Sequence, residues 1–398
     1  MVKRIVAIIM IFAATSVAWL ALGGLTRERT NSSDLELRGK VSELWGAEMQ
    51  QLAPRIYYEK VEPAAQKGNS PTVTRIDVLP EATDLQVDLK LDQRKKGLLW
   101  YSTYGIIFDG TYTVKNNSSK LLNYRVAFDF PSPSAIYDNF HFTVDGREVG
   151  QTDPNGGNVN AVVPVGPGQV KKFRIAYASR GMDRWFYSFG DKVSQVKNFR
   201  LVMTTDFDQI DFPAQTISPA NKEQSGDGWK LTWQSQNLIS GFRIGMEMPK
   251  KINPGPLASQ ISYFAPVSLL FFFFIIFVLS LIKKINLHPM NYFFLAGAFF
   301  SFHLLFSYLV DHIDINLAFV ISSLTSVALV VSYLRLVVGT RFAFVEAGLA
   351  QLIYLVLFSY AHFFKGFTGL TVTVGSIVTL AVLMQITGRI NWEEHFKI

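Results

Sequence analysis

Cysteine is absent from all 398 residues. That excludes disulfide staples, thiolate nucleophiles, iron–sulfur clusters and cysteine-ligated zinc. Charge is scarce across 257–388, where Phe, Leu, Val, Ile and Ala dominate and the few charged residues sit mostly at the edges of apolar runs. Such a stretch is poorly suited to water-soluble packing and well suited to lipid. Enzyme signatures are missing too: there is no P-loop, no Gly-x-Gly-x-x-Gly, no Gly-x-Ser-x-Gly and no His-Glu-x-x-His. The net charge of +7 would permit nucleic-acid binding, but Lys and Arg are scattered among acidic residues and many flank apolar segments. Membrane topology accounts for them, and no nucleic-acid partner is expected.

What is present is an apolar fraction of 49% and a crowding of charge into 27–251, which together predict a membrane protein with one large water-facing domain. A bilayer crossing needs about 20 mostly apolar residues, and six stretches qualify: 5–25, then about 261–282, 291–310, 315–334, 342–364 and 368–387. Ser16-Val17-Ala18 is a small-x-small cleavage pattern, but the apolar run continues to Leu25, so the first stretch is read as an anchor. Orientation follows from basic residues in short loops. A cytoplasmic N-terminus also places Lys283, Lys284, Arg335, Arg341, Arg389 and Lys397 inside, and leaves Asp311, Asp314 and Lys365 in the short outer loops. Arg27, Arg29, Lys250 and Lys251 break this pattern beside the long segment, which translocates largely regardless of charge.

The predicted fold is a multi-pass α-helical membrane protein. An all-β, sandwich-like outward-facing domain, periplasmic if the membrane is a bacterial inner membrane, is inserted between its first and second transmembrane helices. Its expected parts are an anchor (1–26), a juxtamembrane amphipathic helix (27–54), the β-rich domain (55–256), a five-helix bundle (257–390) and a cytoplasmic tail (391–398). The amphipathic helix is read from "NSSDLELRGKVSELWGAEMQQLAP", with Asn/Ser/Asp to start it, Pro54 after its end, and Leu37, Val41, Leu44, Trp45, Met49 and Leu52 near a 3.6-residue period. Beyond Pro54, "LQVDLKL", "GTYTVKN", "YRVAFDF", "FHFTVDGREV", "KKFRIAYAS", "FRLVMTT" and "WKLTWQS" read as strands. Asp145-Gly146 is a two-residue hairpin turn, and Gly166-Pro167-Gly168 is a tight loop before another strand.

The stretch "KINLHPMNYFFLAGAFFSFHLLFSYLVDHIDINLAFVISS" combines a basic turn, "LHPMNY", an apolar helix and an acidic-histidine loop. With "TRERTNSSDLELRGKVSELWG" after the first apolar run and "TGRINW" after the last, the chain resembles the CreD family of bacterial inner-membrane proteins. The resemblance covers both ends and the membrane part; across about 55–250 the chain departs, with "APRIYYE" where the family commonly has Gly-Pro and an apolar strand. It implies a cell-envelope integrity protein, associated with cell shape and tolerance of envelope stress, and it carries no catalytic residues over. The expected function is therefore non-enzymatic and without a cofactor: a bilayer-anchored protein whose β domain binds a periplasmic protein, lipid or glycan. Two alternatives stand beside it, a transporter or lipid-handling protein and an intramembrane metal-dependent enzyme.

Several residues are candidates for chemistry. Arg184, Trp185 and Tyr187 in "RGMDRWFYSFGDK" mix cation and aromatic, a composition suited to a partner surface; the opposing reading puts the aromatics in a core. Asp206, Asp208 and Asp211 could hold calcium but lack the glycine and glutamate of an EF-hand, and read as a solvated turn. His303, Ser307 and Asp311 are spaced by four, so one face of the helix entering from Asn291 carries all three from the membrane midplane to its outer surface. Asp311, His312 and Asp314, with His362 expected at the same depth, could bind a metal ion or relay a proton; equally, the first three could simply end a helix in water. His303 is expected to face the bundle, because hydrocarbon offers an imidazole no hydrogen bond. Glu346, Gln351 and Tyr354 are intramembrane polar residues; Glu346, near the inner end of its helix and five residues from Arg341, is read as staying hydrated or pairing with a base. Small faces at Ser322/Ser326 and Thr371/Gly375/Thr379 predict close helix packing.

Overall fold

The structure is a computed structural model and describes residues 2–62, 72–97, 99–133, 135–149, 157–190, 192–364 and 366–388. Lys365, Arg389, Lys397, most of "TGRINW" and the predicted tail lie outside these. The chain divides into a helical unit, Met1–Leu35 with Ile252–Ile398, and a β-rich unit, Glu36–Lys251.

Among the described residues six helices are long and apolar enough to cross a membrane. They are α1 (Val2–Trp45), α2 (Pro254–Ile282), α3 (Pro289–Leu309), α4 (Ile315–Val337), α5 (Phe342–Phe363) and α6 (Thr368–Thr387). Their starts follow local chemistry. Pro289 opens α3 behind His288, whose ring accepts from the Met290 N–H at 3.2 Å. Asp314 caps α4 by accepting from the Asn316 and Leu317 N–H groups at 2.9 and 3.4 Å. The helix α5 departs from regular geometry, with π-helical segments at Phe342–Ala347 and Leu352–Leu357. The core of this unit is aromatic and aliphatic, with Trp19, Leu269, Phe272, Tyr292, Phe299 and Phe302 each fully buried.

The expected separate helix from Asn31 is instead the continuation of α1, which runs unbroken to Trp45. Asn31, Ser32 and Ser33 could cap a new helix, but a chain already helical satisfies their N–H groups from carbonyls four residues back. Gly46 ends it, at φ +91° with its N–H on the Ser42 carbonyl at 2.9 Å. Met49 and Leu52, placed by sequence on the helical stripe, lie on a strand. Leu37, Val41 and Trp45 do form a stripe, packing on Leu99, Tyr101 and Met182.

The strands of the β-rich unit are β1 (Met49–Leu52), β2 (Arg55–Glu62), β3 (Thr72–Asp77), β4 (Ala82–Lys96), β5 (Leu99–Lys115), β6 (Leu122–Asp129), β7 (Tyr137–Val144), β8 (Arg147–Glu148), β9 (Asn158–Val165), β10 (Val170–Met182), β11 (Arg184–Ser188), β12 (Ser194–Thr205), β13 (Asn221–Ser225), β14 (Gly228–Ser240) and β15 (Ile244–Glu247). They build an eight-stranded sheet in the order β13-β14-β12-β4-β5-β10-β7-β8, a four-stranded sheet β3-β2-β6-β9 and a three-stranded sheet β1-β11-β15. Pairing is antiparallel except at β12–β4 and β1–β11. The alternation in "LQVDLKL" has its expected cause: Leu85, Val87 and Leu89 are buried while Gln86, Asp88 and Lys90 point away. Asp145 and Gly146 both have positive φ, as a tight two-residue turn requires. Lys171 and the Lys172 N–H donate to the Asp145 carboxylate at 2.8 and 3.0 Å, and these bonds hold it below the usual carboxylate range. This turn therefore ties the β7–β8 hairpin to β10.

Candidate functional site

In the β-rich unit, the basic-aromatic stretch is not a surface. Trp185 and Tyr187 are fully buried in the core, which corrects the expectation that they face a partner. The physical reason is the position of β11 in the middle of its sheet: Trp185 stands opposite Met49 on one side and Met246 on the other. Tyr187 brings its hydroxyl to 3.4 Å from that of Tyr112, and burial pushes the Tyr187 phenol above its ordinary range. Arg184 sits at the strand's edge, half-exposed, with its Nε 3.2 Å from Glu247 and a longer 3.9 Å approach to Glu48. Lys250 first and Arg184 second hold Glu247 below the usual carboxylate range. Asp206 accepts from the Leu91 N–H at 2.8 Å, the Asp208 carbonyl accepts from Trp229 Nε1, and Asp211 pairs with Glu247 through the backbone. These three thus serve as turn and edge contacts.

In the helical unit, His303 is buried at 1% exposure. Its ring lies against Trp19, Phe299 and Phe302 at centroid distances of 5.8, 5.9 and 4.9 Å. Its Nδ1 is 3.3 Å from the Phe299 carbonyl, one turn back. Ser307 is buried one turn further on, and its carbonyl accepts from Arg29 at 2.6 Å. The same guanidinium reaches Asp311 at 2.9 Å and lies 5.0 Å over the Tyr308 ring. Burial raises the Asp311 carboxyl above the usual range although Arg29 pulls the other way, so desolvation outweighs the ion pair there.

The candidate set Asp311, His312, Asp314 and His362 is not brought together. Among the described residues no group of three or more His, Cys, Asp or Glu side chains converges. Asp311 is committed to Arg29, Asp314 to its capping bonds, and His312 is exposed. His362 is buried instead, its Nδ1 3.2 Å from the Phe358 carbonyl and its ring 5.3 Å from Phe264. Sequence depth alone could not separate these, because rotation about a helix apolar on every side is set by its neighbours.

Deeper in the bundle, Gln351 donates to Ser326 Oγ at 2.9 Å, and Ser326 donates to the Ala298 carbonyl at 2.6 Å. This relay joins α5, α4 and α3 at a level where every polar group needs an internal partner. Tyr354 reaches Thr379 at 3.3 Å, and Ser268 donates to the Tyr354 carbonyl within the second π-helical segment. Glu346 does pair with a base, Lys283, which caps the C-terminal end of α2. Of the expected small faces, Ser322 and Ser326 are buried, while Thr371 and Gly375 of α6 are exposed. Arg29, Trp19 and Lys283 were not singled out as partners by sequence. Arg29 carried the one usable signal, a cation just past an apolar run with Asp311 expected at a like depth.

The long apolar helices and the β-rich unit define a multi-pass membrane protein. Residues 1–393 match the family described as inner membrane protein CreD, and the chain belongs to that family. No curated protein matches the chain. A solved structure described as a putative nutrient binding protein from Legionella pneumophila is similar over 56% of this chain and 76% of its own, with 12% identity and a TM-score of 0.34, too low to carry an argument.

Proposed function

We propose that this is a non-enzymatic envelope-integrity protein of the inner membrane, with the β-rich unit on the periplasmic side, both termini cytoplasmic, and a periplasmic protein, lipid or glycan as the partner of the β-rich unit. The supporting observation is charge asymmetry: Lys283, Lys284, Arg335 and Arg341 flank the turns at one end of the helices, and Asp311 and Asp314 occupy the turn at the other. Inserting alkaline phosphatase, active only after export, at the exposed Asp145-Gly146 turn is expected to give active enzyme, and a cytoplasmic-only reporter at the same turn to stay dark. The opposite result would remove the orientation and with it a periplasmic partner.

With Trp185 and Tyr187 in the core, the partner surface of this reading moves elsewhere on the unit. Val193, Ile239 and Phe242 are 70, 67 and 56% exposed. They are close together, since Ile239 pairs with Gln195 and Val193 lies against Gly241. Large apolar side chains left in water at one sheet end mark an interaction site. Joint replacement Val193→Asp and Phe242→Asp is expected to leave the protein level unchanged and to abolish complementation of an envelope-stress defect in a strain lacking the protein. Full complementation at normal level would exclude this surface.

A further inference from the structure

We infer that the seam between α1 and α2 binds the phosphodiester headgroup of an anionic glycerophospholipid, with Arg27 as the principal contact. A cavity of about 370 Å³ opens there, lined by Arg27, Thr30 and Asn31 of α1 and by Ser259, Gln260, Tyr263 and their neighbours on α2. That is the lower part of the ~300–1,000 Å³ range of small-ligand sites.

The walls are held by close contacts between the two helices. Tyr263 lies across Gly23, where an added Cβ would be 3.2 Å from the ring, and its hydroxyl reaches over Gly24. Ser259 donates to the Gly23 carbonyl at 2.8 Å, and a side chain at Gly255 would collide with Thr30. The Thr30 and Ser259 hydroxyl protons are spent on the carbonyls of Thr26 and Gly23. Arg27, Asn31, Gln260 and Tyr263 remain as donors. No carboxylate is among the lining residues, and no ion pair engages Arg27 among the described residues.

A guanidinium beside amide and phenol donors matches a phosphate oxygen set. The absence of an acidic group leaves nothing to bind the ammonium of a zwitterionic headgroup. Position selects lipid over free phosphate. The apolar run of α1 ends at Leu25, so Arg27 lies at headgroup level. Tyr263, Phe264 and Val267, each about two-fifths exposed, continue from the cavity along the lipid-facing side of α2, where acyl chains would lie.

The full chain in nanodiscs of phosphatidylcholine with a minor share of phosphatidylglycerol, released and weighed by native mass spectrometry, tests this. One phosphatidylglycerol is expected to stay bound per chain in preference to phosphatidylcholine. Arg27→Gln is expected to weaken retention about five- to tenfold, while Arg335→Gln at the far end leaves it unchanged. Asn31→Leu with Gln260→Leu, which spares the charge, is expected to weaken it less. Equal retention of the two lipids, undiminished retention by Arg27→Gln, or displacement by millimolar inorganic phosphate would each overturn the assignment. Both leaflets carry the probe, so the result does not depend on the orientation proposed above.

Discussion

Replacing Trp185 with alanine is expected to destabilise the β-rich unit by about 3–5 kcal/mol, the usual cost of removing a buried tryptophan. The side chain is fully buried on the central strand of the three-stranded sheet, between Met49 and Met246. Removing it opens a cavity beneath both neighbouring strands, which close-packed surroundings fill only in part. Trp185→Phe is the discriminating control. Its ring keeps most of the apolar contact and drops the indole N–H, which is buried without a hydrogen-bond partner, and an unpartnered donor costs about 1–3 kcal/mol. The phenylalanine variant is therefore expected to be far less damaging. Hydrogen exchange at the β11 amides in the full chain reads both: protection should collapse for alanine and persist for phenylalanine. Retained protection in the alanine variant would return Trp185 to the surface reading.

That residue also shows where sequence reasoning loses its grip. A strand with one wet face advertises itself by alternation, and β4 was legible for that reason. In β11 the residues from Trp185 to Ser188 are all buried, so no period marks the strand, and the neighbouring Arg184 and Arg180 lend it the composition of an interface. The apolar helices were legible from length alone, and the β-rich class from recurring short patterns. The continuity of α1 was not, because Asn31, Ser32 and Ser33 suit a cap as well as a helix surface and only the chain before them decides.

The histidines teach the same lesson in the bundle. Spacing placed His303, Ser307 and Asp311 on one face, and the structure shows Arg29 serving both the Ser307 carbonyl and Asp311. Spacing could not show that His312 and His362 go to different surroundings, one exposed and one buried against Phe264 and Phe358. Within a helix the period fixes relative direction. Between helices, direction is fixed by packing, which one sequence does not display.

Gly46→Ala is expected to cost about 2–4 kcal/mol, more than its single added methyl group suggests. Two effects combine. Its φ of +91° lies where L-residues are strained. An added Cβ would also collide with the Arg180 carbonyl oxygen and approach the Gly181 backbone, atoms that β-sheet pairing of β10 with β5 holds in place. The Met182 N–H donates to the Ala47 carbonyl at 3.1 Å, so relieving the collision means parting the chain after α1 from the end of β10. Trp45, under the Arg94 and Arg180 guanidinium groups at 3.4 and 5.0 Å, would move with it. Gly46→Asn separates the two effects, since asparagine tolerates positive φ yet carries the same Cβ. If collision dominates, asparagine should be nearly as destabilising as alanine when thermal unfolding of the full chain is followed through its β-sheet signal. Recovery of wild-type stability by asparagine would mean that backbone strain alone makes glycine necessary at this helix end.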